Sequence, residues 1–198
     1  MQLRRAAAVV LIATVGLMAC DDDGDDDDDG APLVAASVPA ATVAPPVTDT
    51  ADAVTAVATD YRFDGIPEST PAGTQFNLRN DSTEEVHEMI VMRIPDEETR
   101  PVGVLVGLPE EEIDAIMGDI QPSLVVVAMP GEAGQVVEGE AVLDEPGRYA
   151  VLCFIPTGAD PAVLREALSD PDSTGPPEGL DGPPHVIHGM YAEVTVTP

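Results

Sequence analysis

Side chains able to bind a soft metal ion occur in three short stretches of the chain. His87 stands in a polar segment, Cys153 follows an apolar run, and the residues from His185 to Met190 read His-Val-Ile-His-Gly-Met. Two imidazoles, one thiolate and one thioether are the donors of a blue copper site. All three histidines of the protein, His188 included, lie in these stretches. The sequence therefore predicts one copper-binding site.

Each of these residues, taken singly, also has a structural explanation. Cysteine is common in protein cores, where Cys153 would pack behind Tyr149 and Val151. His87 would then lie on a strand surface and Met190 in the core of the last strand. The combination favours a metal, because an unpaired thiol exported to an oxidising compartment is oxidised unless it is buried or bound to metal.

The first 19 residues have the pattern of an export signal. Arg4 and Arg5 precede an uncharged apolar stretch that is too short to span a bilayer stably. Residues 17–20, Leu-Met-Ala-Cys, resemble the lipobox of bacterial lipoproteins. The resemblance implies cleavage after residue 19 and lipidation of Cys20, which would tether the mature chain to the outer face of a membrane. An ordinary secretory signal with an incidental cysteine is the alternative.

Residues 20–54 have the composition of an extended tether. Asp21–Asp29 is almost entirely aspartate, and the stretch after it is rich in Ala, Val, Pro and Thr. Dense like charges repel, and the second part has too little periodic apolar content to fold. A calcium-binding loop is disfavoured because the spaced ligand pattern ending in glutamate is absent.

The remaining part of the chain is strongly acidic. Residues 56–198 carry 27 acidic side chains against six arginines and no lysine, a net charge of about −21. This charge excludes nucleic acid as a partner, since phosphate binding needs the opposite sign. It favours a basic partner protein, and it is equally well explained by solubility in a salty environment.

Short β-forming stretches separated by turn residues predict an all-β fold. The seven predicted strands are residues 55–63, 75–79, 86–94, 123–129, 135–143, 148–154 and 190–197. Strands spaced in this way are typical of a Greek-key β-sandwich. Two short helices are predicted between strands, at Pro109–Met117 and Asp160–Leu168, because each has a proline near its start and an apolar face.

Three of these segments resemble the signatures of the cupredoxins, the plastocyanin and azurin family of blue copper proteins. They are Asn80–Glu88 (NDSTEEVHE), Pro146–Pro156 (PGRYAVLCFIP) and Pro184–Met190 (PHVIHGM). The resemblance covers about residues 54–198 and implies one cupredoxin-like domain at residues 55–198 with one type 1 copper. The implied ligands are His87, Cys153, His185 and Met190.

Three features depart from the family pattern. Residues 154–184 separate the cysteine from the second histidine, where small plastocyanin-like proteins have only a couple of residues. Glu88 stands where the family often has an asparagine that braces the ligand loops. Its carboxylate is expected to accept a hydrogen bond or to add negative charge near the metal, and either effect shifts the redox potential. His188 competes with His185 as a ligand, and the spacing to Met190 favours His185, leaving His188 at the rim or behind the ligands.

The resemblance to cupredoxins implies a carrier of single electrons that acts with a redox partner protein. Together with the lipobox resemblance, it implies that this carrier is tethered to a membrane outside the cytoplasm, in the periplasm. Two other functions remain open at this point. One is a copper carrier or sensor with the same fold, and the other is a metal-free binding module. An enzyme is not expected, because copper enzymes of this type need further histidine clusters and only one spare histidine exists.

Overall fold

Two β-sheets form most of the domain. The computed structural model describes residues 53–118, 120–170, 180 and 182–198. The signal segment and Cys20 lie outside these residues, as does the predicted tether except for its last two residues. The strands are β1 Ala53–Thr59, β2 Arg62–Asp64, β3 Ser69–Pro71, β4 Thr74–Asn80, β5 His87–Arg93, β6 Leu124–Ala128, β7 Gln135–Gly139, β8 Val142–Leu143, β9 Gly147–Leu152 and β10 Tyr191–Thr197. The predicted all-β sandwich is confirmed.

The strands are divided into a four-stranded and a six-stranded sheet. The smaller sheet has the order β2-β1-β4-β8, and the larger has the order β3-β10-β9-β5-β6-β7. β5 and β10 both run antiparallel to β9, with Leu152 opposite Ile90 and Tyr191. The start of β5, the end of β9 and the start of β10 therefore meet at one end of the larger sheet, which we call the site end.

The core lies between the sheets and follows the alternation of side chains along each strand. Along β9, Tyr149 and Val151 belong to the main core, whereas Ala150 and Leu152 belong to a second apolar cluster that includes helix residues. The Tyr149 hydroxyl donates a 2.7 Å hydrogen bond to the carbonyl oxygen of Glu145, the tyrosine corner typical of Greek-key sandwiches.

The helices are short and lie in the connections between strands. They are α1 Val102–Leu105, α2 Glu110–Met117, α3 Pro161–Ser169 and a 3₁₀ helix at His185–His188. The two predicted helices are present within one residue of their expected bounds, and α1 and the 3₁₀ helix are additional. The Asp160 carboxylate caps α3 by accepting from the amide of Ala162 at 2.8 Å. Among the described residues, no helix has the length and apolar character needed to cross a membrane.

Two of the predicted strands are wrong, because each is divided into two shorter strands in the structure. The run 55–63 breaks at Asp60 and Tyr61, which both have positive φ, into the antiparallel pair β1 and β2. The run 135–143 divides into β7 and β8, which belong to different sheets. The first break is a chain reversal, whereas at the second the chain runs on along β4 and passes from one sheet to the other. The β-forming composition continues through both, so composition alone does not reveal either break.

Candidate metal centre

Three potential ligands meet in the interior at the site end. His87, Cys153 and His185 are all completely buried. The Nδ1 atoms of the two histidines lie 3.2 Å apart, and Cys153 Sγ lies 3.4 Å from His185 Nδ1. One ligand atom from each of the three residues lies within 4.8 Å of the others. The structure therefore brings together an N, N, S donor set from three separate parts of the chain.

The strands supply two of these side chains directly. His87 is the first residue of β5, and Cys153 directly follows the last residue of β9. Cys153 continues the inward-facing series of Tyr149 and Val151, since side chains of a strand alternate between its faces. The backbone amide of Glu88 lies 3.4 Å from Cys153 Sγ and donates to it. The antiparallel pairing of β5 and β9 thus fixes the first histidine beside the thiol.

The 3₁₀ helix brings in the third side chain and leads to Met190. Val186 N donates to Cys153 O at 2.8 Å, which ties the helix to the end of β9. Gly189 ends the helix with a φ of +100°, a conformation that costs glycine little. Met190, fully buried, then donates from its amide to His185 O at 3.2 Å and accepts from the Cys153 amide at 3.3 Å. The backbone therefore holds Met190 against both residues.

Asn80 braces the loop that precedes His87. Its buried side-chain amide donates to Glu85 O at 2.8 Å and to Ala128 O at 3.0 Å, and its Oδ1 accepts from the amide of Ser82 at 2.8 Å. These bonds join the end of β4 in one sheet to β6 in the other. The asparagine within the NDSTEEVHE segment thus fixes the entry into β5.

Burial favours the uncharged form of His87, of His185 and of Cys153. It lowers the pKa of His87 to about 4, helped by the neighbouring His185. It also lowers the pKa of His185, against the opposing effect of the Glu85 carboxylate. Burial raises the pKa of the Cys153 thiol, and the amides of Glu88 and Ile155 act in the opposite direction. At neutral pH the two imidazoles are therefore neutral and the thiol is protonated in the absence of a cation.

These features fit a bound metal ion. The Nδ1 atoms of the two neutral rings lie 3.2 Å apart and can share at most one proton. The Nε2 atoms of both rings are buried without a hydrogen bond of good geometry to any described residue. A cation between the Nδ1 atoms would use both lone pairs and would stabilise the thiolate toward which Glu88 N already points. Soft sulfur with two imidazoles is the donor set of one type 1 copper. Three of the four ligands implied by the resemblance to cupredoxins therefore meet here.

Comparisons with known proteins give likenesses of fold only. No protein-family model and no curated protein matches the chain. Among solved structures, it is similar to dithionite-reduced auracyanin of the photosynthetic bacterium Roseiflexus castenholzii, at 18% identity over 74% of this chain and 97% of that one, with a TM-score of 0.39. It is also similar to auracyanin B (18% identity, 76% and 92%, TM-score 0.40) and to auracyanin A of Chloroflexus aurantiacus, described as a blue copper protein (13%, 73% and 98%, 0.34).

Glu88 and His188, the two other residues predicted near the site, lie around the buried cluster of His87, Cys153 and His185. Glu88 Oε1 accepts from the amide of Phe154 at 2.8 Å, so the carboxylate links β5 to the chain after Cys153. Burial raises the pKa of Glu88 to about 7. His188 is exposed, outside the buried cluster, with its ring centroid 4.9 Å from that of Tyr61. The structure thus places His185, and not His188, beside His87 and Cys153.

Sequence reasoning missed two residues that cover His185. Tyr61 lies on the turn between β1 and β2. Its ring packs edge to face with that of His185, with the two ring centroids 4.9 Å apart. Glu85 places Oε2 at 3.4 Å from His185 Nε2. The only signal for Glu85 was its position two residues before His87, and nothing in the sequence pointed to Tyr61.

Proposed function

We propose that the protein carries single electrons outside the cytoplasm, with one type 1 copper bound by His87, Cys153, His185 and Met190. The observation that carries this proposal is the buried meeting of two imidazole Nδ1 atoms and one thiol sulfur. Lipidation of Cys20 would hold the protein at a membrane surface, and the acidic segment that follows would space the domain away from it. No residue is assigned a catalytic role.

Copper bound here would supply one-electron oxidation and reduction, since the mixed sulfur and nitrogen set suits both of its oxidation states in part. The chain's contribution is a rigid frame. Asn80 fixes the approach to His87, and the bond from Val186 N to Cys153 O fixes the approach to His185. Ligands held in this way move little between oxidation states, which favours fast electron exchange.

The proposed partner is a redox protein with a basic docking patch. Phe154 follows Cys153 and is 45% exposed, and Ile187 lies within the 3₁₀ helix and is 63% exposed. These apolar side chains sit one and two residues from proposed ligands, on a domain whose net charge is about −21. An apolar contact on an acidic domain is complementary to an apolar patch with a basic rim.

The first test is a titration of the purified protein with Cu(II), followed by visible absorption and electron spin resonance. We expect one equivalent of copper, an intense blue thiolate-to-copper band and narrow hyperfine splitting. Cys153→Ser should abolish the band, whereas Cys20→Ser, which changes the one other cysteine, should retain it. A colourless wild-type protein that binds no stoichiometric copper would contradict the proposal.

Reversible reduction separates an electron carrier from a copper carrier. An electron carrier should pass through repeated cycles of reduction and oxidation with its copper retained in the presence of a Cu(I) chelator. Loss of the copper to the chelator within the first cycle would instead indicate that the protein hands over the metal.

A further inference from the structure

Glu85 lies at the junction of three segments that surround the metal centre. It belongs to the loop before β5, and its side chain is 18% exposed. Its Oε2 lies 3.4 Å from His185 Nε2, and both carboxylate oxygens accept from the amide of Gly158, at 3.1 and 3.3 Å. The Tyr61 hydroxyl donates to Oε1 at 3.4 Å. One carboxylate thus contacts the His185 ring, the chain beyond Cys153 and the turn between β1 and β2.

The orientation of the His185 ring places Nε2, and not Nδ1, beside the Glu85 carboxylate. Nδ1 faces His87 and Cys153, so Nε2 points away from these two residues. A neutral imidazole that offers a lone pair at Nδ1 must carry its proton at Nε2. A carboxylate beside that proton favours this tautomer and increases the basicity of the ligating nitrogen.

The other histidine of the cluster has no such acceptor. The Nε2 atoms of both histidines are buried without a hydrogen bond of good geometry in the described part of the chain, and of the two only His185 Nε2 has a carboxylate contact there, with Glu85 at 3.4 Å. The two imidazoles therefore differ, because a carboxylate lies beside the outer nitrogen of His185 alone.

We propose that Glu85 is a positioning residue that holds His185 in its metal-binding tautomer and orientation and fastens the segment after Cys153 to the same carboxylate. This inference deepens the proposed function and rests on it. Negative charge beside a ligand stabilises the higher oxidation state of a bound metal, so Glu85 also lowers the redox potential of bound copper.

A purely structural role would come from the bonds to Gly158 alone. Gly158 has a φ of +73° in the turn that opens the insertion between Cys153 and His185. In that case the loss of Glu85 would loosen this turn and leave the ring of His185 unchanged. The two roles are separated by a readout on the ring itself.

The test compares Glu85→Ala and Glu85→Gln with the same changes at Glu84, an exposed neighbour of equal charge. Ring ¹⁵N chemical shifts of His185 in the metal-free protein report the tautomer directly. Wild type should be almost entirely protonated at Nε2, and Glu85→Ala should give a mixture. Glu85→Gln keeps an acceptor oxygen without the charge and should retain the wild-type tautomer. Both Glu84 variants should match wild type.

Zinc affinity and copper potential complete the experiment. Glu85→Ala should bind Zn(II) about 10- to 100-fold more weakly, the usual effect of losing such a partner, and both Glu85 variants should have a higher copper potential than their Glu84 counterparts. A wild-type tautomer and zinc affinity in Glu85→Ala would overturn this inference while leaving the blue copper site intact. A wild-type protein that binds neither ion would overturn the proposed function as well.

Discussion

The Nδ1 atoms of His87 and His185 lie 3.2 Å apart, although 98 residues separate the two histidines in the sequence. His87 is held by the pairing of β5 with its neighbours, whereas His185 is held by the bonds of the 3₁₀ helix to the chain around Cys153. The pair exists only in the folded domain. Metal binding and folding are therefore coupled.

His185 and His188 should respond differently to the same substitution. His185→Ala removes a buried side chain of the N, N, S cluster, so we expect loss of the blue band or its replacement by a weaker spectrum. His188→Ala changes an exposed side chain that contacts Tyr61 and should keep the band. Visible absorption and spin resonance of the two copper-loaded variants distinguish the two histidines. Loss of the band in His188→Ala and its retention in His185→Ala would make His188 the ligand.

Asn80→Ala should destabilise the domain and loosen the site together. The substitution removes three hydrogen bonds and leaves buried backbone groups of Glu85, Ala128 and Ser82 without that partner. We expect a loss of about 2–4 kcal/mol in the free energy of unfolding, together with weaker zinc binding. Denaturant titration measures the first and competition with a chelator measures the second.

Asn77→Ala is the matched control on the same strand, since within the described part of the chain the Asn77 side chain accepts only an exposed hydrogen bond from Gln75. Its unfolding free energy should stay within about 0.5 kcal/mol of wild type. Equal losses in the two variants would show that Asn80 has no special role in the site.

The fold was predictable where local signals agree with the tertiary structure. The alternation along β9 and the cap and proline at the start of α3 are both local, and the structure contains each of them. The donor types of His87, Cys153 and Met190 were equally visible, because few combinations of residues suit a soft metal.

Contacts between distant segments were not predictable. The reversal at Asp60 and Tyr61 contains no glycine or proline, and positive φ at two such residues depends on the surrounding fold. The approach of Tyr61 and Glu85 to His185 joins the two sheets with the 3₁₀ helix, and a single sequence has no signal for such pairings. The order of strands within each sheet was likewise accessible only from the structure.

The pH dependence of stability should include a contribution from Glu98. Its carboxylate accepts from the side chain and the amide of Arg100, which lowers the pKa of Glu98 to about 2 from its ordinary 4.5. A carboxyl group with a lowered folded-state pKa stabilises the fold above pH 4.5, and this stabilisation is lost as the pH falls toward 2.

Glu98→Gln should therefore reduce the loss of stability between pH 4.5 and 2. The measurement is denaturant unfolding of the metal-free protein at several pH values in this range. Glu97→Gln removes the same charge at an exposed neighbouring position and serves as the control. A pH profile for Glu98→Gln that coincides with that of wild type would contradict the assigned role of the pair.

Ile187→Asp should slow electron exchange with a basic redox protein. Ile187 is exposed beside His188 on the proposed docking surface, and a buried charge at the contact is costly. We expect the second-order rate constant to fall about fivefold or more. Val142→Asp adds the same charge at another exposed position, on β8 opposite the first residues of β4, and should change the rate far less. Equal rates for the two variants would remove Ile187 from the interface.

Gly189→Ala should disturb the metal centre through the backbone alone. Gly189 has a φ of +100°, and an added Cβ would meet no atom within 4 Å. Its cost is therefore conformational, about 1–2 kcal/mol for a side-chain-bearing residue in a left-handed conformation. The strain falls between His185 and Met190, whose backbone groups are hydrogen-bonded to each other, so relaxation of the turn would move both.

Gly73→Ala provides the same strain at the far end of the sandwich. Gly73 has a φ of +87°, and an added Cβ would meet its first neighbour only at 4.0 Å, in the turn between β3 and β4. Denaturant unfolding should show similar losses for the two variants. Only Gly189→Ala should also shift the blue band and weaken zinc binding, because only its turn joins two proposed ligands. An unshifted band in a strained Gly189→Ala protein would mean that the position of Met190 does not depend on this turn.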